Sequence, residues 1–411
     1  MLKFLLSGDM VLNMRIGIDA RMMGAENTRG IGRYIEEMIR AMLGQIHESE
    51  TLVLFERNPS RSPIQHSHVE HIKADISWYG LKEQMALPAI IKQSKIDVLW
   101  VPHWNIPLRH HGPIVITIHD LLLVRHERSA KISTQNPILF YVKYLAFRFV
   151  LHFALKKAKM IFPPTETIKN EIELFYPMSS EKLKVTGEGL GHISPSNAHT
   201  FTNKYLLYVG SAYPHKRLDL ALMAWRTISK NHPSLHFFIV GEKDIFMRRF
   251  EEQVVREVLS RVHFFGVITD EDLSAYLTQA KGFIFPSEYE GFGLPPLEAL
   301  LCGTPTVAAD IDVMKEVLPK EGVFFFHKGH VNDMITAIEL MLERGATEEE
   351  MRRAVKWIQE RHTWAGAAGI AWESIRSILK KEEKHDEKKR KTRGDSGMEK
   401  DEYQRRTGTS A

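Results

Sequence analysis

Two glutamates stand eight positions apart in "YEGFGLPPLEAL", Glu290 and Glu298, around two glycines and a double proline. A carboxylate pair of this kind could cleave a glycosidic bond only with its groups about 5–10 Å apart. Eight residues at helical rise already span about 12 Å, and an extended start lengthens that. Two separate binding carboxylates are therefore the better reading. Pro295 and Pro296 suit a helix start, where proline loses no hydrogen bond. Glu298 is then expected in the first helical turn, where the dipole alone would favour it. That reading does not explain Glu290, beside glycines that let a backbone approach a ligand closely.

Other residues could join them. Lys216 and Arg217 follow the strand-like "YLLYVG", where a phosphate could meet positive charge. His119 closes the apolar run "IVITI", and His103 closes "IDVLWV" in the same manner. Carboxyl ends of parallel strands are where open α/β sheets bind ligands. Asp120 is expected to cap the segment that follows it. "TRGIGRY" at 28–34 reads as a glycine-rich loop between first strand and first helix, with Gly30 in a turn. No Asp-x-Asp pair stands in a metal-like context, so no metal and no cofactor is expected.

These residues need a scaffold. Short runs rich in β-branched residues alternate with helical stretches: "RIGID", "TLVLF", "VEHIK", "IDVLWV", "IVITI" and "MIF" before residue 163, and six more after residue 204. Such alternation means parallel α/β layers, and 411 residues exceed one ordinary core. The expected organisation is a possible extension over 1–13, an α/β domain over 14–190 and a linker over 191–204. A second α/β domain follows over 205–362, then a helix over 363–380 that could return to the first domain. A charged tail over 381–411 completes the chain; its mixed charge and scarce apolar residues predict disorder. The N-terminal "MLKFLLSGDMVLN" has no small-residue cleavage pattern and reads poorly as a signal peptide.

Composition limits the function. The net charge is +4. The tail from 380 holds eleven Lys or Arg against eight acids, leaving the body near neutrality. Nucleic-acid binding needs clustered basic residues, so it is not expected. One cysteine, Cys302, permits no intrachain disulfide and suits a reducing, cytoplasmic setting. No eighteen uninterrupted apolar residues occur, so a membrane span is not expected. Residues 125–159, by contrast, hold eight Lys or Arg against one Glu, with Arg148, His152, Lys156 and Lys159 at helical spacing. That pattern could seat the chain peripherally on an anionic membrane surface; a core helix with a solvated basic edge is the other reading.

The motif "EGFGLPPLEAL" resembles the signature of glycosyltransferase family 4, retaining enzymes of the GT-B fold. "GIDAR" with "GIGRY", "TIHDL", "YVGSAYPHKRLDLAL" and "GVITDEDLSAYL" agree with it, and the resemblance covers about residues 14–380. It implies two Rossmann-like domains facing a central cleft and a nucleoside-diphosphate sugar as donor. By resemblance Glu290, Phe292, Gly293 and Leu294 contact the transferred sugar, and Glu298 holds the ribose. Lys216, with Arg217, meets the diphosphate, and Gly30 and Gly32 face it from across the cleft. His119 lies beside the transferred sugar, while His103 is an acceptor-side candidate. Ser211 and His215 replace arginines that relatives often carry. The implied reaction moves a sugar, mannose or a related hexose, to a lipid-linked or saccharide acceptor in surface polysaccharide or glycolipid synthesis. A nucleotide-sugar epimerase and a non-catalytic sugar-nucleotide-binding partner are the alternatives.

Overall fold

The computed structural model describes residues 13–24, 29–125, 137–191, 193–196, 198 and 201–382. Nearly all of the 1–13 extension, most of the charged tail and part of the basic 125–159 stretch lie outside these residues.

Among the described residues, twelve strands form two six-stranded parallel sheets. In the first, β1 (Met14–Asp19), β2 (Glu50–Glu56), β3 (Val69–Lys73), β4 (Val98–Val101), β5 (Ile114–Thr117) and β6 (Met160–Phe162) run in the order β3-β2-β1-β4-β5-β6. In the second, β7 (Lys204–Val209), β8 (Leu235–Val240), β9 (Val262–Phe265), β10 (Gly282–Phe285), β11 (Thr306–Ala309) and β12 (Val323–Phe326) run β12-β11-β10-β7-β8-β9. Numbered from its own first strand, each sheet has the same order, 3-2-1-4-5-6. The central strands are buried on both faces, as crossover helices require. Their sequences are accordingly apolar throughout rather than alternating.

In such a sheet the order reverses between its first and fourth strands. The crevice at their carboxyl ends is the place where ligands bind. Those points lie between β1 and β4 (Ile16 beside Val98) and between β7 and β10 (Leu206 beside Gly282).

By contacts the chain divides into two units. Among described residues, the first takes in positions up to 116, 157–160 and 368–382, and the second 117–156 and 161–367. This division does not follow a single cut near residue 190. The end of the sequence-assigned linker's approach, Gly189 and Leu190, packs within the second unit: Leu190 N–H donates to the His362 carbonyl at 3.2 Å. In the first unit, the helical residues 368–382 are held through Trp372, whose Nε1 donates to the Met42 carbonyl at 2.9 Å. Arg376 grips Glu50 at 2.7 and 2.8 Å. Burial alone would raise the Glu50 pKa, yet these bonds hold it below the usual carboxylate range.

Two helix starts depart from the sequence reading. "TRGIGRY" does not stay a loop: helix α1 (Arg29–Leu43) already contains Gly30 and Gly32, and neither has a positive φ. Glycine is tolerated in a first helical turn, whose N–H groups have no helical partner, and a large apolar face beyond it drives the helix. The helix over Leu294–Leu301 places Glu298 fifth, past the first turn. Its dipole benefit is thus smaller than expected, because the helix begins one residue before the prolines.

The long helix over Pro137–Lys157 also differs from expectation. Its C-terminal half buries Leu151, Ala154 and Leu155, but Ile138, Tyr141, Val142, Leu145 and Phe149 are exposed. Ile138–Lys157 is long and apolar enough to cross a membrane by length and composition, although no uninterrupted apolar run marks it in the sequence. Arg148, His152 and Lys156 are exposed along it, and Lys159 follows its end.

Candidate functional site

The second unit brings together the switch point of its sheet and a strand-end turn over 117–121. The chain leaves β7 through Gly210 and enters a short 3-10 turn, Pro214–Lys216. It leaves β10 into "PSEYEGFG" before the helix at Leu294. These two exits lie side by side, since Glu288 N–H donates to the His215 carbonyl at 2.8 Å.

Lys216 reaches across this junction. Its Nζ sits 2.7 and 2.8 Å from the two oxygens of Glu290, with both side chains largely shielded from solvent. Two carboxylate oxygens around one ammonium make a strong charge-assisted pair that solvent screens weakly. Arg217 behaves otherwise. It caps the next helix in the left-handed region, φ 52°, and its guanidinium is bound to Asp219 and Glu288. Those two carboxylates raise its pKa further, so its charge is already neutralised locally.

His119 belongs to the same cluster. Its Nδ1 lies 3.7 Å from Glu188, which is buried. Asp120 accepts the Leu122 N–H at 2.8 Å and so opens the short helix Leu122–Arg125, as the sequence suggested. Asp120 is also within electrostatic range of His119, Glu290 and Lys216.

Two glycines let these pieces meet. A Cβ on Gly291 would sit 2.0 Å from the His119 carbonyl oxygen, so only glycine permits that approach. Gly293 has φ +95° and precedes the helix, and a Cβ there would press on Met314 at 2.3 Å. Phe292 is buried and packs edge-on against His362. Leu294 is the first helical residue, and Glu298 is buried one turn later.

Behind them lies a connection that sequence reasoning missed. The buried Tyr289 hydroxyl donates to Glu171 at 2.8 Å and accepts the Leu121 N–H at 2.8 Å. Burial raises the pKa of both Tyr289 and Glu171, and Arg125 stands 3.2 Å from the latter. Tyr289 adjoins Glu290 in sequence and could have been suspected on that ground. Glu171 and Glu188 carry no local signal, because only the fold brings them near. His103, Gly30 and Gly32 belong to the first unit. Among the described residues, no group of three His, Cys, Asp or Glu side chains forms a metal-like cluster.

The family model described as glycosyl transferases group 1 matches residues 192–357, and the model described as glycosyltransferase family 4 matches 28–190. Between them they account for most of the chain. The chain belongs to the family 4, group 1 glycosyltransferases.

This glycosyltransferase is 27% identical over 252 residues to the O-antigen chain mannosyltransferase RfbU of Salmonella typhimurium, covering 60% of this chain. It is 25% identical over 305 residues to the serotype-specific mannosyltransferase WbdA of Escherichia coli, covering 70% of this chain. These matches span 65% of RfbU and 36% of WbdA. Among solved structures, sucrose-phosphate synthase from Thermosynechococcus elongatus superposes with a TM-score of 0.71 at 20% identity, covering 89% of this chain and 99% of that one. Anabaena HepE in complex with UDP and glucose gives 0.66 at 16% identity, covering 88% and 99%. At these identities the likeness establishes the fold, and the glycosyltransferase has the GT-B architecture that its motifs implied.

Proposed function

We propose that this glycosyltransferase moves a hexose, mannose foremost, from a nucleoside-diphosphate sugar to an acceptor hydroxyl, with retention of anomeric configuration. The observation that carries this reading is the Lys216–Glu290 pair, held at the switch point of the second sheet beside His119. The relatives' names as mannosyltransferases support the choice of sugar. The neighbour with bound UDP and glucose supports a nucleotide-sugar donor.

Each side chain then has a task. A diphosphate entering the site competes with Glu290 for Lys216, and the sugar's hydroxyls offer Glu290 new donors. During transfer the acceptor oxygen bonds to C1 as the C1–O bond to the β-phosphate breaks. The acceptor's proton passes to that phosphate, and Lys216 meets the charge that develops there. His119 hydrogen-bonds the sugar, and Gly293 and Leu294 present backbone N–H groups at the helix start. Glu298 holds the ribose. Arg217, committed to Asp219 and Glu288, orders the turn that carries Lys216 rather than clamping phosphate. With Lys216 supplying the positive charge, no metal is required.

The setting proposed is synthesis of a surface polysaccharide or glycolipid, on a saccharide or lipid-linked acceptor, by a cytoplasmic or peripherally membrane-bound protein. The exposed apolar residues of the helix over Pro137–Lys157, interspersed with Lys143 and Arg148, support contact with an anionic leaflet.

The test is a panel of nucleotide-sugars against the purified protein, reading thermal shift and release of nucleoside diphosphate. One donor is expected to stabilise the protein and be consumed slowly. Lys216→Ala should lower that consumption about 100-fold or more, the scale at which a charge-stabilising donor contributes. Stabilisation by no donor, or turnover indifferent to Lys216, would contradict the reading.

A further inference from the structure

His119 serves the proposed transfer by hydrogen-bonding the sugar, and an imidazole donates or accepts according to which nitrogen carries its proton. The fold supplies a group that decides this. Beyond β6 the chain runs alongside that strand at residues 183–186: Ile161 bridges Leu183, Lys184 N–H donates to the Ile161 carbonyl at 3.0 Å, and Thr186 N–H to the Pro163 carbonyl at 3.1 Å. On the β5 side, Ile118 N–H donates to the Phe162 carbonyl at 3.1 Å. His119 comes one residue after Ile118, and Glu188 two after Thr186. Their side chains therefore meet past the carboxyl end of β6, although 69 positions separate them (188 less 119).

The meeting is held from both sides. Gly187 turns the chain at φ +73°, and a Cβ on Gly189 would lie 2.2 Å from the Trp364 backbone nitrogen. The Leu190 N–H is bound to the His362 carbonyl. Glu188 is thus presented from a short segment anchored before and after it. On the other side, Gly291 sits against the His119 carbonyl, and Tyr289 holds the Leu121 N–H. The neighbouring charges are already engaged: Asp120 accepts the Leu122 N–H, and Lys216 binds Glu290.

Glu188 is buried, with Oε1 3.7 Å from His119 Nδ1, and among the described residues no Lys or Arg ion-pairs with it. A buried carboxylate is costly unless something compensates its charge, and here the imidazole is what it faces. At 3.7 Å the contact is longer than a hydrogen bond, but the attraction of a carboxylate for an N–H dipole persists at that range in a shielded site. Such contacts also shorten when a substrate closes the site. An ionised carboxylate only accepts, so it favours the proton on the nitrogen nearest to it. We propose that Glu188 is a positioning residue that keeps the His119 proton on Nδ1, so that Nε2 accepts a hydrogen bond from a hydroxyl of the transferred sugar. The proposal rests on the transferase reading for the sugar, and on the Glu188–His119 geometry alone for the proton.

The test separates the two. Nitrogen-15 NMR of the full chain with labelled histidine, recorded without substrate at about pH 8.5, two units above the ordinary histidine value, reads where the proton sits. His119→Asn identifies the signal. The parent is expected to show Nδ1 protonated. Glu188→Leu, which keeps the volume but offers no acceptor, should move the proton to Nε2, and Glu188→Ala serves where leucine does not fit. Glu188→Gln keeps an acceptor oxygen and should restore the Nδ1 proton in most molecules. With the donor chosen by the panel, Glu188→Leu should lower kcat/KM about 10-fold, the scale of one hydrogen bond. In a His119→Asn background the same change should cost less than twofold, because Glu188 acts through that ring. A proton on Nε2 in the parent, a signal indifferent to Glu188→Leu, or the full loss in the His119→Asn background would overturn the proposal. An Nδ1 proton that follows these variants in a protein consuming no donor would uphold the pair and contradict the transferase reading.

Discussion

Tyr289 shows how one hydroxyl can hold a site together. It bridges the Leu121 N–H and the Glu171 carboxylate, and so ties the turn bearing His119 to the loop bearing Glu290. Tyr289→Phe removes the bridge, takes this acceptor from the buried Leu121 N–H and leaves Glu171 to Arg125. Its expected cost is about 1–3 kcal/mol in a urea titration, with an unchanged midpoint as the contrary result. His110 offers a pH test. Burial first, then the nearby Lys157 and His111, depress its pKa to about 4. Its Nε2 is buried with no hydrogen-bond partner among the described residues. The folded state therefore binds fewer protons than the unfolded one between about pH 6.5 and 4. Stability from this group is present above its unfolded pKa and is lost as pH falls through that window. His110→Gln should flatten the acid limb of melting temperature against pH, and an identical limb would contradict the assignment. At this scale Glu290, Lys216 and His119 could be nominated from the sequence because each follows an apolar strand-like run, with Gly291 or Asp120 next to two of them. Tyr289's partner was not, since 118 positions separate it from Glu171.

Elements were legible where burial made their sequences uniform. The strands of each sheet follow from apolar runs of β-branched and aromatic residues, and residue 204 marks the start of the second series. Helix starts were harder. Gly30 and Gly32 look like a loop, yet they occupy the first turn of α1, because the buried face of that helix outweighs the propensity of two glycines. The helix over Pro137–Lys157 was read by its basic residues, but its exposure is chiefly apolar: Leu145 is 66% and Phe149 63% exposed. On the membrane reading proposed above, such a face would bind through buried apolar area plus attraction to anionic lipid. A double variant, Leu145→Glu with Phe149→Glu, should lose binding to phosphatidylglycerol vesicles in a flotation assay at least 10-fold and melt as the parent does. Equal flotation would assign that face elsewhere.

The whole molecule repeats one topology twice, and each copy offers a crevice where its strand order reverses. That repetition is visible in the sequence only as two series of six strands; the pairing order that creates the crevices is not. Hence Lys216 and Glu290 could be suspected individually, whereas their pairing needed the fold. At the crevice of the second sheet the fold pairs a cation with a carboxylate, Lys216 with Glu290. The most direct measurement is proton NMR of the product made from the donor selected by the panel and a mannose-containing acceptor. A new glycosidic linkage with the donor's anomeric configuration, absent with Lys216→Ala, is the result predicted. A linkage of inverted configuration, or an epimerised donor with no linkage formed, would contradict the account.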